Sequence, residues 1–218
     1  MALQIGKGSV FFAPRKTCRA KVGRGNLPKP QDEKGKKTMR MKANQSALIV
    51  VDLQERLIPA IHEGGRVIAN ARILMQAANR LDVPTLISEQ YSKGLGHSVP
   101  DIAELAEVES TLEKMHFSCL SDSEIERCLR ELGRKQAVVC GAEAHVCVLQ
   151  SVLELIELGY QVFVVEDAVS SRTPESKRIA MTRMQAAGVQ AVTTEMVVFE
   201  WLEKAGTPEF KELSALIK

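Results

Sequence analysis

This chain lacks any run near the roughly 18 consecutive apolar residues that a membrane-spanning helix needs. No two of its five cysteines (Cys18, Cys119, Cys128, Cys140, Cys147) are spaced C-x-x-C. That argues against a zinc ribbon and against a redox dithiol, and the odd count offers no disulfide framework. A reducing compartment is the simplest reading. No G-x-G-x-x-G follows an apolar run, and Gly94-Leu95-Gly96 alone is too short to cradle a phosphate, so no nucleotide cofactor is implied. Histidine is scarce: His62, His97 and His116 are scattered without ligand spacing. A secretory signal is missing too, because Val10-Phe11-Phe12-Ala13 is too short for its apolar core.

What is present suits a globular enzyme. The 218 residues are 45% apolar, enough for one sizeable domain with a full core. Charge is divided unevenly along the chain. Residues 1–42 carry 12 Lys and Arg against 2 acids, while the remainder carries 17 against 25. The leader has no periodic apolar pattern, so residues 1–43 are expected to be disordered and residues 44–218 to form the domain. Three readings of the leader stay open: a transit peptide, a nucleic-acid or membrane contact, or an inert upstream extension ahead of Met39 or Met41. The third is preferred. It implies a cytoplasmic protein without nucleic-acid or membrane partners, and a transit peptide would make it organellar.

From Ala47 onward, short apolar runs alternate with helical spacings. Strands are expected at 47–51, 85–88, 115–117, 137–140, 162–165 and 191–193. Helices are expected near 67–81, 101–106, 122–132, 144–158, 175–187 and 195–204, with a short one after Pro208. Asp122 reads as an N-cap and Gly133 as a stop. Continuous apolar strands alternating with helices predict an α/β fold: a three-layer α/β/α sandwich, Rossmann-like, around a mostly parallel six-stranded sheet.

The most informative segment is Val138-Val139-Cys140-Gly141-Ala142-Glu143-Ala144-His145-Val146-Cys147. A buried strand reaches a glycine, turns, and enters a helix whose first turn carries a thiol. Open α/β sheets bind ligands at such strand ends. A helix N-terminus favours thiolate over thiol, so a reactive Cys147 with a lowered pKa is expected. Two more groups sit at strand edges. Asp52 ends Ala47–Val51, and Lys114 opens Met115-His116-Phe117-Ser118.

Asp52, Lys114 and Cys147, in that order, resemble the isochorismatase-like cysteine hydrolases, from about Gln45 to the C-terminus. The resemblance implies that Asp52 bonds the thiol and moves its proton, while Lys114, ahead of an aromatic–Ser pair, holds the charge. It implies a non-prolyl cis peptide at Ala142–Glu143. Backbone N–H groups at Glu143 and Cys147 would then face an oxyanion. It also implies a small amide, ureide or related C–N substrate and a thioester intermediate. Gln54, Glu89, Gln90, Tyr91, Phe117 and His145 are the candidate substrate contacts.

In the zinc-binding nicotinamidase branch an Asp and a His follow strand two. Gln90 and Ser92 stand there, so no metal and no other cofactor is expected. The run Glu89 to Gly96 instead looks like the isochorismatase-domain-containing branch. Relatives assemble, so a homo-oligomer is expected. Apolar residues near the C-terminus (Met196 to Phe199, Trp201 and Leu202, then Phe210, Leu213, Leu216 and Ile217) are its candidate surface. The alternative is a protein that keeps the fold for binding or assembly with little turnover.

Overall fold

The computed structural model describes residues 39–107 and 109–217. Almost all of the predicted leader lies outside them, as does Cys18. The part that is described corrects the expected boundary. Met41 is buried in the core, its N–H donates to Glu200 Oε2 at 2.6 Å, and the Lys42 N–H donates to Gln136 Oε1 at 2.8 Å. The packed domain therefore includes Met41 rather than starting at residue 44.

Six strands form one sheet: β1 (Ser46–Val51), β2 (Thr85–Gln90), β3 (Thr111–Lys114), β4 (Gln136–Ala142), β5 (Gln161–Ser170) and β6 (Gln190–Val192). Their order is β3-β2-β1-β4-β5-β6, and every neighbouring pair is parallel. All six residues of β1 are buried, as a strand covered on both faces must be. Its side chains alternate between two cores. Leu48 and Val50 pack with α1 (Gly64–Arg80), α7 (Thr194–Leu202) and α8 (Pro208–Leu213). Ala47, Ile49 and Val51 pack with α4 (Ser123–Glu131), α5 (Leu149–Glu157) and α6 (Pro174–Ala186). This is the predicted three-layer α/β/α sandwich. Strand order reverses between β1 and β4, so a crevice opens at their carboxyl ends.

Helix α1 shows how the pattern works. Val67, Ala71, Leu74, Met75 and Ala78 recur at helical spacing and all are buried. Each large side chain there contributes roughly 1.5–3 kcal/mol. Leu74→Ala would cost about 2–5 kcal/mol, because the sheet beneath cannot collapse into the gap.

Several expected elements move. Strand three lies at Thr111–Lys114, not at Met115–Phe117. It is an edge strand, with Leu112 and Lys114 buried between exposed Thr111 and Glu113. Alternation marks such a strand, whereas Met115 and Phe117 are exposed. Lys114 therefore ends a strand rather than opening one. Strand β5 runs on to Ser170, past a register shift opposite Val139 and Gly141. Asp122 precedes α4 without a side-chain cap. Its Oδ2 instead accepts from the N–H groups of Met115 (3.3 Å) and His116 (3.2 Å), organising the turn after β3. The C-terminal apolar surface is mostly internal: Val197, Val198, Trp201 and Leu213 belong to the core. The Trp201 indole N–H donates to Ser46 Oγ at 3.0 Å. Met196 and Phe199 remain exposed.

Candidate active site

The three expected groups meet at the switch point. Asp52 follows β1 with a left-handed backbone, φ 51°, which turns the chain and leaves its carboxylate buried beneath the crevice. Oδ1 accepts from Ser88 Oγ at 2.7 Å. Oδ2 accepts from Lys114 Nζ at 2.8 Å, and both side chains of this ion pair are fully buried. A pair taken out of water is tolerable only when its remaining valences are met. Lys114 Nζ also donates to Gln90 Oε1 at 2.6 Å and to the Phe117 carbonyl at 3.1 Å, with the His116 carbonyl at 3.3 Å.

The elbow comes from β4. Gly141 has φ 122°, and a Cβ there would lie 2.0 Å from the Val51 carbonyl oxygen. Only glycine allows β4 to pass the end of β1 so closely. The Ala142–Glu143 peptide is cis, at the expected place. The chain then enters a π-helical turn, Ala144–Val148, before α5. The Glu143 carbonyl accepts from the N–H groups of Val146 and Val148 at 3.1 and 3.2 Å. The continuous helix expected from residue 144 is thus wider at its start, a feature frequent at functional sites. This turn holds Cys147, which is buried, with its thiol close enough to feel the Asp52 carboxylate and the Lys114 ammonium.

The electrostatics correct one expectation. Burial, followed by the Asp52 charge, pushes the Cys147 thiol well above its ordinary pKa, against the pull of Lys114. The direction is opposite to the lowered pKa expected from the helix terminus, and it favours the thiol form of Cys147. Burial also raises the Asp52 carboxyl above its usual range, opposed by Lys114, Ser88 and Cys147. Burial pulls Lys114 down, but Asp52, Cys119 and Cys147 outweigh it and hold the ammonium above its ordinary value. The set therefore stores a proton on sulfur beside a carboxylate suited to receive it.

The other cysteines differ. Cys140 is interior to β4, and burial pushes it up to about 12. Cys128 lies on the buried face of α4. Cys119 borders the site: its N–H donates to Ser151 Oγ at 2.8 Å, and that hydroxyl donates to the Cys147 carbonyl at 2.7 Å.

The candidate substrate contacts divide in two. Gln54 is a clamp, because its Oε1 accepts from Gln90 N–H at 2.8 Å. Its Nε2 donates to the carbonyls of Gln90 (3.0 Å) and Gly96 (2.7 Å). Glu89 is also committed: one oxygen accepts from the Ser98 N–H and hydroxyl at 2.7 and 2.8 Å, and the other meets His97 Nδ1 at 2.9 Å. Gln90 serves Lys114. All three side chains are thus held by hydrogen bonds within the protein around the site. Tyr91 and Phe117 are exposed. His145 Nδ1 lies 3.0 Å from Ser171 Oγ, apart from the Asp52–Lys114 pair. Of the two residues at the zinc-ligand positions, Gln90 is engaged as above, and the Ser92 N–H and hydroxyl meet Glu113 Oε1 at 2.8 and 2.5 Å. Among the described residues no group of three His, Cys, Asp or Glu could hold a metal ion.

Two contributors escaped the sequence. Ser88 bonds Asp52, and its only signal is a hydroxyl at the end of an apolar strand. Arg172 pairs with Glu143 (Nε to Oε1, 2.7 Å), and nothing in the sequence distinguished it from other arginines.

The arrangement resembles known proteins along most of its length. A profile of the isochorismatase domain matches residues 46–196. Isochorismatase domain-containing protein 2 of Danio rerio is 36% identical over 179 residues, covering 82% of this chain and 89% of that protein. A solved structure described as MAR1 ribonuclease from Caenorhabditis elegans is 38% identical, with a TM-score of 0.76, covering 82% of this chain and 92% of that one. The Escherichia coli YcaC product, described as an octameric hydrolase of unknown specificity, shares the fold at 24% identity and a TM-score of 0.78, covering 84% and 92%. With a domain match over most of the chain and this level of identity to the zebrafish protein, the chain belongs to the isochorismatase family of hydrolases.

Proposed function

We propose that this protein is a cysteine hydrolase acting on a small amide, ureide or related C–N compound. One observation carries the reading: a single buried carboxylate, Asp52, bonds the Lys114 ammonium and lies beside the buried Cys147 thiol. Asp52 takes the thiol proton as sulfur attacks the carbonyl carbon. Backbone N–H groups at Glu143 and Cys147 receive the developing oxyanion, where each good donor is worth roughly 10²–10³ in rate. The tetrahedral adduct collapses, the C–N bond breaks, and Asp52 returns the proton to the leaving amine. Water then attacks the thioester and gives a proton to Asp52. Cys147 leaves as thiolate and recovers that proton. Lys114 stays charged throughout and keeps Asp52 in place. No metal or organic cofactor enters these steps.

A panel of small amides and ureides tests this, with released ammonia or amine measured for the wild type and Cys147→Ala. Turnover in the wild type and none in the variant is expected, together with an acyl adduct on Cys147 by mass spectrometry. Turnover that survives Cys147→Ala would overturn it, and an inert wild type would favour the binding or assembly role.

The ribonuclease description of the worm protein, with the basic leader of this chain, supports RNA as a second substrate to test. The body after residue 42 carries 25 acids against 17 Lys and Arg. Such a balance disfavours a polyphosphate backbone, so amides are the preferred substrates.

A homo-oligomer is also proposed. Its support is the exposed Met196 and Phe199 and the octamer described for the structural neighbour. Light scattering at micromolar concentration should give a multiple of 24.0 kDa.

A further inference from the structure

Beyond the triad, a second ion pair lies at the elbow. The Glu143 side chain is only 8% exposed, although it carries a charge. Its carboxylate is gripped side-on by Arg172, with Nε 2.7 Å from Oε1 and Nη2 donating to Oε2 at 3.1 Å. Arg172 itself is 64% exposed, so one partner is desolvated and the other is not. Ser171 touches the same elbow through His145, at 3.0 Å. Ser171 and Arg172, just past the end of β5, thus grip both residues that flank Ala144.

The cost of this arrangement calls for a reason. A buried carboxylate without a partner opposes any negative charge that forms nearby, and the low local dielectric amplifies the effect. Cys147 must become negative during reaction, and the elbow must accept an oxyanion. An unpaired Glu143 would work against both.

We propose that Arg172 is a positioning residue for the reaction: it neutralises Glu143 and fixes the elbow, so that negative charge can develop at Cys147. This rests on the cysteine-hydrolase reading for its place in catalysis, but its electrostatic content can be measured without a substrate. Other titratable groups near the elbow are His145 on it, His62, whose backbone bonds Ser170 and Ser171, and the Asp52–Lys114–Cys147 set. All of them remain in the variants below.

The test uses the full chain and the rate of Cys147 alkylation by iodoacetamide, followed by peptide mass mapping across pH. Arg172→Gln should slow alkylation about tenfold near pH 8, the effect of a one-unit rise in thiol pKa. Arg172→Lys should stay near the wild-type rate. The double variant Glu143→Gln/Arg172→Gln should recover that rate, because no bare charge remains. A double variant as slow as Arg172→Gln, with an unchanged melting temperature, would overturn the proposal and leave the contact a packing one. An Arg172→Gln protein that alkylates like wild type would overturn it too. If Arg172→Gln does not fold, the double variant decides: wild-type alkylation supports the proposal and slow alkylation refutes it. Failure of the hydrolase reading would appear separately, as absence of Cys147-dependent turnover in the wild type.

Discussion

Gly141→Ala is the sharpest single test of how this site is built. The added Cβ would sit 2.0 Å from the Val51 carbonyl oxygen and 2.6 Å from the Val51 nitrogen. Both are backbone atoms of the central strand, so no side chain can rotate away. Contact distance is about 3.5 Å, so β4 must retreat from β1 by more than 1 Å. The residue also keeps φ near 122°, a conformation costing about 1–3 kcal/mol outside glycine. Overpacking adds a similar amount. The sum is roughly 2–6 kcal/mol, which for a domain of this size lowers Tm by about 5–20 °C. The same retreat separates Asp52, just past β1, from Cys147, just past β4. Misplacement of about 1 Å can cost 10²-fold in rate. Thermal melting and the Cys147 alkylation rate read the two effects independently. A variant that melts within 2 °C of wild type would refute the close approach of these strands, and with it the reason for a glycine there.

Lys114→Met leaves Asp52 buried without its cation and should cost about 3–5 kcal/mol in urea unfolding. Loss of Lys114 lets the Asp52 pKa rise further, so the deficit should shrink as acid protonates Asp52; a deficit independent of pH would contradict the pairing. Because burial holds the Cys147 thiol high, its alkylation rate should keep climbing above pH 9, and a plateau near neutrality would show a thiolate at rest. Removing residues 1–38 should leave Tm unchanged, whereas Met41→Ala should cost about 2–4 kcal/mol because it empties a core position. Equal melting of Met41→Ala and wild type would return the domain boundary to residue 44.

The fold was legible because β1, β4 and the first half of β5 are buried on both faces, and such stretches appear as apolar runs. Strand β3 was misplaced because an edge strand buries only alternate residues, and one of the two buried here is a lysine. The convergence of Asp52, Lys114 and Cys147 was legible because each ends a strand or starts a helix, positions that topology brings together. The protonation state of the thiol was not. The helix terminus is visible in sequence, whereas the burial and the Asp52 charge that push the thiol pKa up emerge only in three dimensions. Gln54, Glu89 and Gln90 read as polar site residues in one dimension, whereas the loop and side-chain bonds that hold them emerge only in three. Arg172 illustrates the remaining limit: its partner is 29 residues away, and no local pattern records that distance.

The pairing of β1 with β4 has a consequence for synthesis. Ser46 and Gln136 are neighbours across the sheet yet lie 90 residues apart in the chain. Until β4 has left the ribosome, β1 can pair only with β2, and its other edge is open. That edge belongs to a strand whose every residue is buried in the finished domain, so the nascent half-sheet presents a sticky border to other chains. Long-range parallel pairing is also slow to form. Growth temperature and chaperone supply should therefore govern the yield of this protein more strongly than changes on its finished surface.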